Sequence, residues 1–445
     1  MEFRDFILQH EGDDLGRLAL SRDRFRADVP DFDLALTTLE SRRKLRLKVP
    51  QWYAIPSLQY PLRLSAEQCS STETARYKAS LAAAVASGTS RTPGASATAG
   101  TSAEAGTILS AKRAGKCQED GPFFIADLTG GLGVDSWAFS EVADAVLYNE
   151  MNPLLSRAAK HNFPLLGAHN ITVRNLKLEP GGLQNILQGF HPDLLFLDPA
   201  RRASDGRKVF RLENCQPDVL KLRDELLEVC PRMLLKLSPM ADITLVCKQL
   251  GCVKEVHVVA AEGECKELLL VLEKGFQGSH RLVVCESGAV AEISGEDGNS
   301  GSGHGNSCGP RSSVPWSDVP ETGSWLFEPG KALLKAGAFD WPYTAYGLRK
   351  LGRHTHLYIS ENAIPEALKP FGKCFRISQV EPLGKAGLKV FSKAFPAAEV
   401  SARNIPLTSD ELRKKLGVRS GGGIHIFGAH VDAASAHFLL ATTPA

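Results

Sequence analysis

Phe123-Phe-Ile-Ala-Asp-Leu-Thr-Gly-Gly-Leu-Gly-Val-Asp-Ser136 is the stretch that decides the fold of this chain. It opens as a short apolar run, typical of a buried parallel strand, and Asp127 follows where that strand should end. Three glycines come next, and a segment compatible with a helix begins near Val134. Because glycine has no Cβ, the backbone can turn sharply and approach a ligand, and the helix start offers free N–H groups. The pattern predicts a nucleotide-cofactor loop, with a plain glycine turn as the alternative.

The acid inside this loop indicates the kind of cofactor. A dinucleotide-binding fingerprint needs a third glycine two residues after Val134, and Ser136 occupies that position. The carboxylate of Asp127 would repel a pyrophosphate, but it suits a ligand that carries an amino group, such as S-adenosylmethionine. The residues of this loop that we expect at the cofactor are Asp127, Thr129, Gly130, Gly131 and Gly133.

The composition is that of a folded protein with several domains. The chain has 445 residues and a formal net charge of +2, so no global field demands nucleic acid or membrane. Its 10 cysteines include no Cys-x-x-Cys pair, which argues against a zinc ribbon and a disulfide framework. No run approaches the roughly 18 apolar residues of a membrane span, and the first residues carry charges without an apolar core of signal-peptide length. We expect a cytoplasmic protein without a metal or a membrane partner.

Residues 1–83 place apolar side chains at helical spacing and are expected to form an N-terminal helical domain. Their basic run at 41–48 suits either a solvated helix face or a nucleic-acid contact. Ser65 and Gln68 match a capping box for a helix that continues to Lys78. The polar start of that helix either caps it or faces the cofactor.

Two stretches are too poor in apolar residues to form a core. Residues 84–117 are mostly Ala, Ser, Gly and Thr, and residues 295–313 have the same character. Such segments cannot bury enough apolar surface to offset the entropy of ordering. The first is predicted to be a disordered linker and the second an insertion.

From Phe123 onward, apolar strands alternate with amphipathic segments, as in a parallel α/β sheet. Ligands of such sheets lie outside the carboxyl ends of the strands. Glu150 follows the second strand, roughly 20 residues after the glycines, where an acid accepts hydrogen bonds from ribose hydroxyls. Asn175 follows the third strand, near the expected adenine. The predicted strands are 123–126, 145–148, 171–173, 193–197 and 233–237.

The next segment distinguishes between cofactor classes. Two apolar stretches, 256–261 and 268–272, flank a short polar turn. They must pair antiparallel, because a parallel crossover needs a dozen or more residues. A parallel sheet that ends in an antiparallel hairpin is not the dinucleotide-binding arrangement. It is the arrangement of class I S-adenosylmethionine-dependent methyltransferases.

Three motifs carry a resemblance to those enzymes. Asp127-x-x-Gly-Gly-x-Gly133, Glu150 and Asp198-Pro-Ala-Arg201 resemble motif I, the acidic end of strand two and motif IV. The whole chain is similar to bacterial methyltransferases that carry a THUMP-like C-terminal domain. Further matching segments are 67–78, 236–239, 263–268, 328–337, 403–407 and 411–415.

The core is also similar to the trimethylguanosine synthases, which methylate a guanine amino group. Those enzymes have a proline and an aromatic residue where this chain has Ala200 and Arg201. That family's aromatic residue stacks on the base, so the substitution argues against guanine N2 as the target.

The resemblance implies an α/β fold: a Rossmann-like class I methyltransferase sheet with an antiparallel terminal hairpin, an N-terminal helical region and small α+β C-terminal domains. The catalytic core is expected over 118–275, a ferredoxin-like domain with the Gly/Ser-rich insertion over 276–370, and a THUMP-like domain over 371–445. THUMP-like modules are associated with RNA. Basic residues near this end are Lys385, Lys389, Lys393, Arg403, Arg413, Lys414, Lys415 and Arg419.

Methyl transfer from a sulfonium is an in-line displacement in which the enzyme mainly positions two reactants. Asp198 is expected to accept from the target N–H and to direct its lone pair at the methyl group; helix capping is the alternative. Pro199 holds the backbone stiff, and Arg201 and Arg202 could hold phosphates bidentately. Lys236 either holds a phosphate as well or lies at the rim.

The resulting hypothesis is S-adenosylmethionine-dependent methyl transfer to RNA, at a base nitrogen of tRNA or rRNA. One alternative is a methyltransferase that acts on a protein or a small molecule. Another is an S-adenosylmethionine-binding RNA module without catalysis, against which the intact glycine loop and Asp198 argue.

Overall fold

The structure, a computed structural model, describes residues 2–25, 29, 31–86, 121–201, 211–293 and 315–445. The helices are α1 (Phe3–His10), α2 (Leu15–Leu20), α3 (Arg22–Phe25), α4 (Phe32–Lys48), α5 (Pro50–Tyr53), α6 (Arg63–Gln68), α7 (Thr72–Ala86), α8 (Val134–Ser140), α9 (Pro153–Leu165), α10 (Leu183–Leu187), α11 (Val219–Val229), α12 (Ile243–Leu250), α13 (Lys331–Ala336), α14 (Trp341–Tyr346), α15 (Lys385–Ala394) and α16 (Ser409–Leu416).

The strands are β1 (Phe124–Asp127), β2 (Ala145–Asn149), β3 (Ile171–Arg174), β4 (Leu194–Leu197), β5 (Ala200–Arg201), β6 (Cys215–Gln216), β7 (Arg232–Leu237), β8 (Val253–Ala261), β9 (Glu264–Glu273), β10 (Arg281–Glu286), β11 (Ala289–Ile293), β12 (Trp325–Pro329), β13 (Arg349–Lys350), β14 (Tyr358–Ser360), β15 (Gly372–Pro382), β16 (Glu399–Arg403), β17 (His425–Val431) and β18 (Ala436–Pro444). The predicted insertion at 295–313 lies outside the described residues, and so does the predicted linker, apart from the last turn of α7.

The chain divides into two compact units, and the first contains the described residues up to 256 together with 267–280. Its strands belong to a nine-stranded sheet with the order β11-β10-β8-β9-β7-β4-β1-β2-β3. The strands from β3 to β7 are parallel, and β9 runs antiparallel to β7. The strand order reverses between β1 and β4, so the loops after these two strands meet at a topological switch point. The predicted Rossmann-like sheet with an antiparallel hairpin is confirmed.

Local sequence explains this sheet. All four residues of β4, Leu194–Leu197, are buried, because both faces of a parallel sheet are covered. The hairpin between β8 and β9 turns through Glu262 and Gly263, whose φ angles are 55° and 75°. Positive φ at both positions is the type I′ geometry that matches the twist of paired strands.

The helices before the sheet begin differently from the sequence prediction. Ser65 lies inside α6, whose N-cap is Leu62 without a side-chain hydrogen bond. The helix that contains Lys78 starts anew at Thr72, and the hydroxyl of Ser71 accepts a hydrogen bond from the N–H of Thr74. The predicted capping box is therefore wrong, because the chain breaks between α6 and α7. Helix α7 then packs against α8.

The second unit contains residues 257–266, 281–293 and 315–445 of the described chain. Its seven-stranded sheet has the order β13-β14-β12-β15-β18-β17-β16. All neighbours are antiparallel except β16 and β17. Phe391 of α15 and Leu412 of α16 pack with Ile426 and Leu439 of the central strands. These two helices thus cover one face of the sheet and turn their polar faces outward.

No helix within the described residues is both long and apolar enough to span a bilayer. The described cysteines are free thiols. Within the same residues, no three His, Cys, Asp or Glu side chains are grouped so that they could hold a metal ion.

Candidate active site

The loop after β1 is held from inside by Asp127. Its Oδ1 accepts a hydrogen bond from the N–H of Thr129 (3.1 Å), and its Oδ2 accepts from the hydroxyl of Ser136 (2.5 Å). Asp127 is only 1% exposed, and this burial raises the pKa of its carboxyl group to about 8. The sequence prediction sets this carboxylate against the ligand, whereas the structure sets it beneath the loop, where it fixes the loop's shape.

The three glycines serve two different purposes. A Cβ on Gly130 would lie 2.1 Å from the ring of Tyr148, and one on Gly133 would lie 2.8 Å from the ring of Phe163. Both glycines therefore allow the loop to lie directly on buried aromatic rings. Gly131 has φ of 54°, and the nearest atom that its Cβ would meet is 3.9 Å away. Its outer side faces open space, which a side chain there would fill.

Glu150 ties the end of β2 to the glycine loop. Its Oε2 accepts from the N–H of Gly131 (2.8 Å), and its Oε1 accepts from the N–H of Asn152 (2.7 Å). The side-chain amide of Asn175 donates to the Glu150 carbonyl (2.6 Å). Each carboxylate oxygen can accept a second hydrogen bond. The half-buried Glu150 can therefore still receive a ligand hydroxyl beside Gly131.

Asn149 is a residue that the sequence prediction missed. It is 1% exposed, and its side-chain amide donates to the carbonyls of Leu128 (3.3 Å) and Leu176 (3.0 Å). Its oxygen accepts from the N–H of Leu176 (3.1 Å). It joins the loops after β1 and β3, and the only signal in the sequence is a polar residue at the end of a buried strand.

Asp198 connects the glycine loop with the end of β4. Its N–H donates to the hydroxyl of Thr129 (2.6 Å), while its carboxylate is 36% exposed. Pro199 is buried and Ala200 is exposed. The backbone of Arg201 pairs with β6, but its side chain, like the whole of Arg202, lies outside the described residues. The predicted phosphate contacts of these arginines remain predictions.

Lys236 of β7 is the partner of Asp198. Its Nζ donates to Asp198 Oδ2 (2.5 Å) and lies 4.0 Å from Glu267 Oε2. Burial lowers the pKa of the Lys236 ammonium, but the carboxylates of Asp198, Glu267 and Asp135 outweigh burial and raise that pKa above its usual range. The sequence left Lys236 as a phosphate ligand or a rim residue; the structure places it at the centre of the site.

A buried pair lies behind these two residues. Lys78 of α7 is fully buried and donates to both oxygens of Glu267 (2.8 and 2.9 Å) and to the hydroxyl of Ser70 (3.0 Å). Ser70 donates in turn to Asp135 Oδ2 (2.9 Å). Asp135 Oδ1 is 3.2 Å from Lys78 Nζ but is not aligned as a hydrogen-bond acceptor. We call Lys78, Asp135, Asp198, Lys236 and Glu267 the charge cluster.

Comparison with known proteins places this site in a family. Residues 325–366 match the family model of a ferredoxin-like domain, and residues 372–444 match that of a THUMP-like domain. A solved structure from Porphyromonas gingivalis W83, described provisionally as a methyltransferase, is 30% identical with a TM-score of 0.77. The alignment covers 100% of this chain and 97% of that one. The chain belongs to this family of S-adenosylmethionine-dependent methyltransferases with a THUMP-like C-terminal domain.

More distant relatives agree. Two Mycobacterium tuberculosis proteins, from strains CDC 1551 and H37Rv, are each named an uncharacterised S-adenosylmethionine-dependent methyltransferase. Both are 26% identical to this methyltransferase over 314 residues, which is 70% of its chain and 78% of theirs.

The residues of this methyltransferase fit its cofactor. Gly131 has no side chain, so the space beside it is open to a ligand. Glu150 borders that space, and its carboxylate can accept a further hydrogen bond. Asp198 lies next to the same loop through Thr129. When bound, S-adenosylmethionine supplies an electrophilic methyl group, and the chain has only to position an acceptor and manage its proton.

Proposed function

We propose that this methyltransferase acts on RNA, with tRNA and rRNA as the candidate substrates. The observation that carries the proposal is a groove on the second unit, between α15 and α16. The lysines that line it are Lys385, Lys389, Lys393 and Lys415. The first three recur every four residues and therefore share one face of α15. Among the ion pairs of the described residues, none involves these four lysines.

Some other basic side chains of this unit take part in ion pairs. Arg403 donates to Glu328, and Arg413 donates to Asp410. The groove thus brings four lysines without an ion pair together, on a module whose THUMP-like class is associated with RNA. Lysines attract phosphates as point charges and release counterions on binding. Free thiols suit a reducing compartment, and we propose the cytoplasm, where tRNA and rRNA occur.

At the site, we assign S-adenosylmethionine to the open side of Gly131 and to Glu150. Gly130, Gly133, Thr129 and Asp127 shape the loop that receives it, and Asn175 supports the adenine side. We assign the chemistry to Asp198, with Pro199 and Arg201 in support. Asp198 accepts a hydrogen bond from the acceptor group and so holds its lone pair in line with the methyl carbon.

The test is transfer of a labelled methyl group to RNA from a strain that lacks the gene. We expect label in that RNA, and little in RNA from the parent strain, where the position is already methylated. Asp198→Ala should lower the rate by on the order of 10²–10³ and leave S-adenosylmethionine affinity intact, because one charge-assisted hydrogen bond to the reacting group is lost.

Asp224→Ala, which removes an exposed carboxylate on α11, is the matched control and should behave as the parent. Label in a protein extract or a small-molecule fraction, with none in any RNA, would replace RNA by the other substrate class. The sequence predicts a base nitrogen as the acceptor atom. The charged side chains around Asp198 provide a separate argument about the identity of that atom.

A further inference from the structure

We propose that the acceptor is a ribose hydroxyl of RNA, with Lys236 holding its oxygen and Asp198 taking its proton. Lys78 and Glu267 are positioning residues behind this pair. The inference rests on the proposed RNA substrate and names a different acceptor atom from the base nitrogen predicted by the sequence.

The side chains of the charge cluster become more exposed from the interior of the protein toward solvent. The side chains of Lys78 and Glu267 are 0% and 4% exposed, that of Lys236 is 13% exposed, and that of Asp198 is 36% exposed. The inner pair is saturated, since Lys78 reaches both oxygens of Glu267 and also Ser70. The outer pair opens beside the glycine loop. A ligand on that loop therefore meets Asp198 and Lys236 and cannot reach Lys78.

Stability alone does not account for such a cluster of buried charges. Replacing a buried ion pair by apolar residues of similar volume is often neutral or even stabilising, so a buried ion pair is weak evidence of a stabilising role. The cluster contains two lysines and three carboxylates, an excess of one negative charge in the ionised state. Perturbed ionisable groups concentrated at a cleft mark functional sites.

The sign of charge selects the acceptor atom. An atom hydrogen-bonded to Oδ2 of Asp198 lies within about 5 Å of the Lys236 ammonium, given the 2.5 Å contact between Lys236 Nζ and that oxygen and a usual hydrogen-bond length. A hydroxyl oxygen becomes more negative as its proton leaves, and a fixed ammonium stabilises that charge. A neutral base nitrogen becomes positive as it attacks, and the same ammonium opposes that charge, whereas the Asp198 carboxylate can take a proton from either kind of acceptor.

The second residue after Pro199 supports this choice. Arg201 stands where the trimethylguanosine synthases have the aromatic residue that stacks on the base. An enzyme that modifies a base must take it out of its stack and hold it between apolar or aromatic groups. A ribose hydroxyl projects from the backbone and needs no such platform, and it is the group that distinguishes RNA from DNA.

The proposed step balances as follows. The hydroxyl oxygen forms a bond to the methyl carbon as the carbon–sulfur bond breaks and its electron pair stays on sulfur. The hydroxyl proton passes to the carboxylate of Asp198, and Lys236 remains an ammonium throughout. Asp198 later releases this proton to solvent, to which it is open.

Lys78 and Glu267 act on the step through Lys236. Glu267 Oε2 lies 4.0 Å from Lys236 Nζ, and Lys78 holds the same oxygen from the other side. This arrangement fixes the direction of the Glu267 carboxylate and steadies Lys236 toward Asp198. Segments from α7, β7 and β9 that are far apart in the sequence thus meet at one point.

The first experiment reads the product. RNA from the gene-lacking strain is methylated with labelled S-adenosylmethionine, digested to nucleosides and cleaved at the glycosidic bond. We expect the label to follow the sugar, and the methylated phosphodiester to resist alkali because its 2′-hydroxyl is blocked. Label that follows the base would overturn the hydroxyl proposal and leave the RNA substrate standing. Label only in protein would defeat the proposed function itself.

The second experiment reads the residues. Lys236→Met should lower kcat by on the order of 10²–10³, with RNA KM and the calorimetric affinity for S-adenosylhomocysteine within about threefold of the parent. Lys236→Arg keeps the charge and should recover part of that loss. Lys254→Met, which removes an exposed lysine paired with Glu273 in the same sheet, is the control.

The inner pair is tested by Lys78→Met with Glu267→Met, which replaces both charges of the pair by apolar groups and so leaves neither partner buried without the other. We expect kcat to fall about tenfold with KM unchanged and the protein still folded. Parent-like kcat in Lys236→Met would defeat the assignment of Lys236. If that variant melts early, Lys236→Arg and the product analysis still decide the question.

Discussion

Gly130 and Gly131 are neighbours, yet their missing side chains serve opposite purposes. A Cβ on Gly130 would strike the buried ring of Tyr148, so Gly130→Ala should lower the free energy of unfolding by about 1–3 kcal/mol. Gly131→Arg costs only the left-handed backbone, about 1–2 kcal/mol, but should abolish S-adenosylmethionine binding by filling the open side. Thermal melting and calorimetry on both variants check this. Parent-like cofactor affinity in Gly131→Arg would place the site elsewhere.

Asp127 makes stability depend on pH. Burial raises its pKa from the usual 3.8 to about 8, so the folded state holds a proton that the unfolded chain releases between these values. The free energy of unfolding should therefore fall as pH rises through this window, by on the order of 1 kcal/mol per pH unit, and level off above it. Asp127→Asn should flatten this dependence in urea titrations at several pH values. An unchanged slope would assign the pH dependence to other groups.

The residue scale also shows where sequence reasoning stops. The position of Asp127 at a strand end was predictable from the apolar run before it. The inward orientation of its carboxylate toward Ser136 was not predictable, because this orientation depends on the packing of α8. Asn149 was missed for the same reason: its partners are carbonyls on other loops, which leave no pattern in the chain.

At the scale of elements, Gly330 shows why the start of α13 is so constrained. Glu286 of β10 accepts from the N–H of Ala332 (2.8 Å), and a Cβ on Gly330 would lie 2.5 Å from the same carboxylate. Gly330→Ala should therefore destabilise the second unit by about 1–3 kcal/mol. Gly384→Ala is the matched control, since its Cβ would meet nothing within 4 Å and its backbone is extended. Equal melting temperatures for the two variants would contradict this account.

Helices and strands were predictable where a single hydrophobic period dominates the sequence. The five core strands stand out because parallel strands are continuous apolar runs. The strands β16 and β18 were not predicted. The charge cluster could be predicted only in part, because Asp198 and Lys236 were recognised as site candidates but Lys78, Asp135 and Glu267 were not joined to them. Its members span Lys78 to Glu267, and only the closing of the sheet brings them together.

For the whole molecule, RNA docking and cofactor binding should be separable. Lys389→Glu with Lys393→Glu reverses two charges in the groove of the second unit, where we propose that RNA docks. RNA affinity should fall, and the slope of log affinity against log salt should lose roughly 1–2 units. Calorimetry with S-adenosylmethionine should give parent values. Lys373→Glu, an exposed lysine of β15 outside the groove, is the control, and equal RNA binding by both variants across salt would move the docking site elsewhere.

The ion pair between Lys78 and Glu267 has a consequence for how this catalytic unit can be inherited. A recombination event that began at the glycine-loop strand would leave Glu267 buried without its counterion, at a cost of about 3–5 kcal/mol. That is a large share of the stability of a typical domain. Helix α7 is thus not an accessory that lineages can exchange freely. We expect any natural or engineered chimera that retains Glu267 in this hairpin to retain helix α7 with Lys78 as well.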